Sequence, residues 1–377
     1  MSRLYEWFLR KLLMNRRIII DSHLDLAWNA LTWKRNLRLP LADLNRVDAN
    51  VDDRLGRGLA TTTWPEMRNG SIAVCLGTLM GRVAYGEEQI HGGDLDFPTH
   101  EGVYGFASGQ LGYYHALDAM GEITLIENAT QLNSQIERWR TASATETQRL
   151  PVGVIIAMEC ADAIMTPDQV KHWFDRGLRC VSLVHYGRSR YAVGTGEDGP
   201  LTADGREILK EMERVGMILD VTHLSDTSFF EAIDLFHGPV IASHQNCRSL
   251  VPGCRQFSDE QLSLVIQRGG VIGLAMDAWM LHPGWVRGET DRSVVNLTAV
   301  ADHARHVCDL AGNCNHVAIG SDLDGGYGTE QTPVGLDSIA DLQKLGDIFA
   351  ERGFTETEID QIMFANWQRF FGEHLPG

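Results

Sequence analysis

His23 and Asp25 stand two residues apart behind the apolar run Ile18-Ile19-Ile20. In an extended strand that spacing puts both side chains on one face, where an imidazole and a carboxylate can grip one cation together. Five more residues of this chemical kind close other apolar runs: Glu159, His185, His223, His244 and Asp322. Imidazole and carboxylate donors without thiolates suit zinc, with manganese, cobalt or iron as substitutes. His23, Asp25, Glu159, His223 and His244 are too many ligands for one catalytic zinc, which must leave a position open to water. Two ions resolve the excess. Glu159 is the one carboxylate among the inner strand ends able to bridge, with an oxygen for each ion. His23 and Asp25 then complete one site, His223 and His244 the other. Two such ions, ~3.5–4 Å apart, share a hydroxide that is nucleophilic at neutral pH and polarise a carbonyl.

Three residues take the roles left open. Asp322 is placed to accept the proton of the attacking water and pass it to a leaving amine. Asp324 competes for that role but lies further from the strand end. His185 is a candidate to stabilise a tetrahedral oxyanion; a satisfied core histidine is its alternative. Arg255 can pair bidentately with a substrate carboxylate, whereas a plain surface charge is the alternative for it and for Arg248. The remaining histidines read as solvated or structural, and the cysteines as small core or helix residues.

What must position these groups is a series of eight apolar runs: Arg17–Asp25, Ser71–Leu79, Pro151–Cys160, Arg179–His185, Gly216–His223, Gly238–His244, Gly270–Ala275 and His316–Asp322. Each is bounded by Gly, Pro or charge, as buried parallel strands are. Helical stretches lie between them. Pro167 suits a first helical position, and capping boxes begin at Ser258 and at Thr355, the latter ahead of Ile359–Phe371. Eight alternating repeats predict an α/β fold, a (β/α)₈ TIM-type barrel whose functional face gathers the carboxyl ends of the strands. An open doubly wound sheet is the rival, but it would carry a Gly-rich first turn, and Ser22-His23-Leu24 is not one. The expected organisation is one domain over 1–377, with 1–16 as an N-terminal arm.

The chain holds 50 acidic against 33 basic residues, a formal charge of −17, which argues against nucleic acid as a partner. Seven cysteines without a CxxC pair fit a reduced, cytoplasmic setting. Met1 to Arg17 mixes Leu and Trp with Arg and Lys, so it lacks the uninterrupted apolar stretch of a signal peptide. It reads as a helix packed on the body, with a membrane-surface arm as the alternative. No segment approaches the ~20 apolar residues of a membrane span, so no membrane partner is expected. Gly81–Gly105, rich in Gly and acid, is long for a strand-to-helix loop and reads as a lid, an oligomer contact or a plain surface loop.

Taken in order, Asp21–Asp25 (DSHLD), Met158-Glu159, Ser182–His185 (SLVH), Leu219–Ser225 (LDVTHLS), Val240–His244 (VIASH), the trailing Arg255 and Gly320–Gly325 (GSDLDG) resemble the membrane dipeptidase (renal dipeptidase) family of amidohydrolase-like metal barrels. The likeness runs from about Ile18 to Phe371. It implies two zinc ions on His23, Asp25, Glu159, His223 and His244, and substrate roles for His185, Arg255 and Asp322. It also implies hydrolysis of a dipeptide with a free carboxyl terminus, often with a D-residue there, by a homodimer. Two departures stand out. Cys160-Ala161-Asp162 follows Glu159 where the family usually has Gly-Gly or Gly-Ala. Met276-Asp277-Ala278-Trp279-Met280 occupies the place where vertebrate relatives have a substrate-contacting tyrosine. The metal centre therefore carries over well and the substrate pocket poorly, while the secretion and lipid anchor of the vertebrate enzymes do not carry over. A hydrolase of another small amide, such as an N-acyl amino acid or a lactam, is the second reading. A metal-free barrel serving as a binding protein is the third, and the intact ligand set argues against it.

Overall fold

The computed structural model describes residues 16–85 and 94–377. Every expected apolar run contains a strand: β1 (Ile19–Leu24), β2 (Ile72–Met80), β3 (Val152–Glu159), β4 (Leu178–Ser182), β5 (Ile218–Asp220), β6 (Val240–Ile241), β7 (Ile272–Leu274) and β8 (Val317–Ile319). All their residues are buried, because helices cover the outside while side chains fill the inside. The strands pair in parallel in the order β7-β8-β1-β2-β3-β4-β5-β6. The remaining gap is joined by a parallel bridge between Ala242 and Ile272, where Gly273 N donates to Ala242 O at 2.8 Å. The sheet is thereby a barrel of eight parallel strands. A further strand, Ile123–Leu125, pairs with the start of β3; its apolar triplet is too short to signal itself in sequence.

Except in β2, the ladders end sooner than the apolar runs do. His185, His223, His244 and Asp322 each lie three residues beyond the last residue of β4, β5, β6 and β8. Past those points side chains take over from strand neighbours as partners of the backbone. Asn246 accepts from Ala275 N and donates to Ala275 O, both at 3.1 Å. Ser182 Oγ donates to Thr222 O at 2.9 Å. Inside the barrel, Gly273 and Gly320 let neighbouring strands close up on the Ser243 carbonyl, a place that any Cβ would overlap.

The helix signals hold. Ser258 and Thr355 cap their helices with reciprocal boxes. Pro167 opens a single tight turn ahead of helix Val170–Asp175. The last helical stretch is interrupted by a π-helical turn at Gln361–Ala365. Gly81–Gly105 is less of a loop than its composition suggests. Arg82–Val83 pairs with Asp96–Phe97, and a 20-residue helix already begins at His100. Residues 86–93 of that segment and 1–15 of the N-terminal arm, on which the lid and packing readings rest, lie outside the described residues. Among the described residues no helix is long and apolar enough to cross a membrane.

Candidate metal centre

Glu159, the final residue of β3, is buried at the centre of the barrel mouth. Its two oxygens face different partners. Oε1 lies 3.0 Å from His223 Nε2 and 3.4 Å from His244 Nε2, while Oε2 lies 3.5 Å from His23 Nε2. Asp25 and Asp322 approach His23 Nε2 from other sides, at 3.8 and 3.9 Å. His185 Nε2 stands 4.0 Å from Glu159 Oε1. Three groups have ligand atoms within 4.8 Å of one another: His23–Asp25–Glu159, Glu159–His185–His223 and His23–His244–Asp322. The structure thus brings all seven strand-end residues into one cluster.

Hydroxyl groups fix the rings from behind. Thr195 Oγ1 is 3.0 Å from His223 Nδ1, and Ser243 Oγ is 2.9 Å from His244 Nδ1 and 3.3 Å from His23 Nδ1. With Nδ1 engaged, Nε2 of each ring is the atom turned toward Glu159, as metal-binding histidines require. The backbone also bends to aim these groups: φ is +69° at His223 and +58° at Asp322. A non-glycine residue in that region costs on the order of 1–3 kcal/mol, a strain that concentrates at functional sites.

The electrostatics call for a cation. Burial by itself would lower His23, but Glu159, Asp25 and Asp322 outweigh it and raise the ring to about 10. Burial and the neighbouring Glu159 lift Asp25 to about 6, and burial holds Asp322 well above the ordinary carboxylate range. His223 and His244 are pushed far down, first by burial and then by Arg255 and adjacent histidines, so both are neutral and free to act as donors. His23 Nε2 and Glu159 Oε1 are buried and have no hydrogen-bond partner. Such orphaned polar atoms are costly, and a divalent ion would satisfy them while replacing the proton on His23. The residues present fit a metal.

A cavity of about 260 Å³ opens onto this cluster and is lined by Trp28, Met80, Tyr186, Arg255, Asp277, Trp279, Met280 and Arg287 among others. Arg255 is buried in its wall, held by Gln245 Oε1 at 2.7 Å and His244 O at 2.9 Å. Arg248 instead pairs with Asp226 at 2.7 Å, outside the cavity. Asp324 also faces away: its carboxylate accepts from Thr61 N, Thr61 Oγ1 and Thr62 N at 2.8–3.0 Å. Arg82 Nη1 is 3.1 Å from His185 Nδ1. An arginine only donates, so the His185 proton must sit on Nε2, toward Glu159. Burial lowers this ring to about 4, so it is neutral at ordinary pH.

Two cavity residues escape a reading of the sequence. Asp277 lies three residues past β7, the same offset as four of the strand-end residues, and that offset is the signal that could have found it. Tyr186 follows His185, and its ring lies 5.3 Å from that of His223; it carried no signal. Cys160, with φ of +71°, is buried beside Glu159 but joins none of the ligand groups. Cys254 is exposed rather than in the core or a helix, since it sits on the polar turn before Arg255.

The profile of the membrane dipeptidase family, peptidase family M19, matches residues 9–374. The chain belongs to that family. Dipeptidase verJ of Clonostachys rogersoniana is 32% identical over 205 residues, covering 53% of this chain and 50% of that protein. The chain spans about half the length of the curated relatives it matches. Two solved structures share the fold. Dipeptidase AC, a metallo peptidase of M19, superposes with a TM-score of 0.74 at 20% identity, over 96% of this chain and 100% of its own. A metallo peptidase from Rhodobacter sphaeroides, liganded with a phosphinate mimic of the dipeptide L-Ala-D-Ala, gives 0.73 at 21%, over 96% and 99%. This family member therefore has the barrel of the M19 structures.

Proposed function

We propose that this M19 chain is a two-metal dipeptidase, hydrolysing the peptide bond of small dipeptides with a free carboxyl terminus, L-D dipeptides included. The observation that carries the reading is the division of the Glu159 oxygens between His23 on one side and His223 with His244 on the other. His23 and Asp25 would hold one zinc and His223 and His244 the other, with Glu159 shared; manganese, cobalt or iron are substitutes. When bound, the ions supply an acidified water and polarise the scissile carbonyl. Asp322 takes the proton of the attacking water and delivers it to the leaving amine. His185 donates from Nε2 to the oxygen that gains charge. Arg255 holds the substrate carboxylate with its guanidinium fork. Family membership and the dipeptide mimic bound by the Rhodobacter relative support the substrate class. Seven cysteines, all free, support a reducing cytoplasmic setting, and a homodimer follows from the family resemblance.

The test is a panel of L-L and L-D dipeptides assayed before and after chelation, with metal content measured alongside. The expected result is two ions per chain, turnover of some dipeptides, and loss of both on chelation with recovery on adding zinc. Inactivity on every dipeptide, with turnover of an N-acyl amino acid, would move the reading to that substrate class. A chain that neither binds metal nor turns over any amide would be a binding protein.

A further inference from the structure

The stretch after β7 forms the cavity wall between Arg255, in the loop after β6, and Asp322, after β8. Asp277 is its charged member, buried and lining the cavity beside Trp279 and Met280. Its carboxylate is fixed in place. Gln331 Nε2 lies 2.9 and 2.8 Å from the two oxygens, and Trp279 N lies 3.2 Å from Oδ1. All these donors are neutral. Among the described residues Asp277 takes part in no ion pair and in no candidate metal group. Arg287, the nearby cation of the wall, is already engaged by Glu330 at 2.8 Å and by Gly326 O at 3.0 Å. Burial raises the Asp277 carboxyl to about 7 in spite of its neutral donors, the state of a carboxylate short of a counter-ion.

Position gives that deficit a use. Tyr186, Arg255 and Asp277 all line the same cavity. Arg255, in the loop after β6, and Asp277, after β7, therefore border one space. If Arg255 holds the substrate carboxylate, Asp277 stands beside the carboxyl-terminal residue. A negative charge there works against a plain or acidic residue and toward one that brings its own cation.

We propose that Asp277 is a specificity-determining residue, selecting dipeptides whose carboxyl-terminal residue bears a cationic side chain by pairing with that cation. The inference rests on the dipeptidase reading and names its substrate class. It is tested on the metal-loaded protein with alanyl-lysine against alanyl-norleucine, which match in chain length and differ in the ammonium, in both L- and D- forms. The expected preference in kcat/KM for lysine is about 10- to 100-fold, the usual worth of a hydrogen-bonded charge. Asp277→Asn should erase it. Asparagine keeps the cap of helix Ala278–Leu281, and its amide can meet Gln331 Oε1, which has no partner. Asp277→Ser, which keeps the cap and drops the charge, should give the same result. Calorimetric titration with phosphinate dipeptide analogues ending in lysine or norleucine reads the preference without turnover. A lysine preference in binding that vanishes in both variants supports the role of Asp277, even if no dipeptide is hydrolysed and the dipeptidase reading falls. No preference, a preference that survives both substitutions, or an equal loss on every ligand overturns it.

Discussion

Two sets of acidic side chains are buried at the barrel mouth, and they differ in how well they are satisfied. Asp21, Asp220 and Asp324 each accept three hydrogen bonds. Asp21 takes Ser321 N, Ser321 Oγ and His23 N; Asp220 takes Thr222 N, Thr222 Oγ1 and Ser243 N; Asp324 takes Thr61 N, Thr61 Oγ1 and Thr62 N. Asp25 accepts a single one, from Thr78, while the carboxylates of Glu159 and Asp322 accept none among the described residues. Donors that come from neighbouring strands and fill a carboxylate lock those strands together. Carboxylates left short keep their lone pairs for an ion, a proton or a substrate. Satisfaction separates Asp21, Asp220 and Asp324 from Asp25, Glu159 and Asp322, whereas Asp277, which also accepts three hydrogen bonds, is set apart from the scaffold by lining the cavity.

The deepest effect is expected from Glu159→Gln. It should lower metal content to one ion or fewer per chain by elemental analysis and abolish turnover; two retained ions would remove Glu159 from the ligand set. Next comes the pair two residues apart. Asp322→Asn should keep both ions and cut kcat by about 10²–10⁴, the range for losing a general acid–base. Metal loss in that variant would make Asp322 a ligand instead. Asp324→Asn should do the opposite, costing about 1–3 kcal/mol in urea unfolding for weakened bonds to Thr61 and Thr62 while kcat stays put. If both substitutions acted alike, the division between the two sets would fail. Arg255→Lys keeps the charge but loses the fork, so KM should rise about tenfold with kcat little changed.

The mildest test concerns a satisfied group that must stay neutral. His303 is buried, and its Nδ1 accepts from Cys247 N at 3.1 Å. Burial, and then His306, lowers its pKa to about 3. The unfolded chain takes up that proton near pH 6.5 and the folded one does not. Stability present above ~6.5 is therefore lost as pH falls toward 3, by up to about 1.4 kcal/mol per pH unit. Between pH 7 and 5, wild type should lose about 2 kcal/mol more than His303→Asn; parallel curves would show that the site is not held neutral.

Much of this was legible in the sequence, for a local reason. A buried strand is apolar along its length, so a His, Asp or Glu at its end stands out, and His23, Asp25, Glu159, His185, His223, His244 and Asp322 were all found that way. Asp277 was passed over because the segment drew notice only for its missing tyrosine. Tyr186 was passed over because an aromatic residue after a strand is no anomaly. The apolar runs also overstated the strands. Composition records which residues avoid water and not where a ladder gives way to side-chain partners such as Asn246.

The amino-acid order by itself determined the eight strands, their alternation with helices and the kind of chemistry at their ends, since those depend on neighbours a few residues apart. The three-dimensional structure alone decided which acids are tied into the scaffold across the barrel. The donors that fill Asp21 come largely from Ser321, 300 residues away, and those that fill Asp324 come from Thr61 and Thr62, 263 and 262 residues away. Hydrogen bonds act over about 3 Å and ignore chain separation, so only closure of the barrel assigns Asp324 to the scaffold and leaves Asp322 to the cavity.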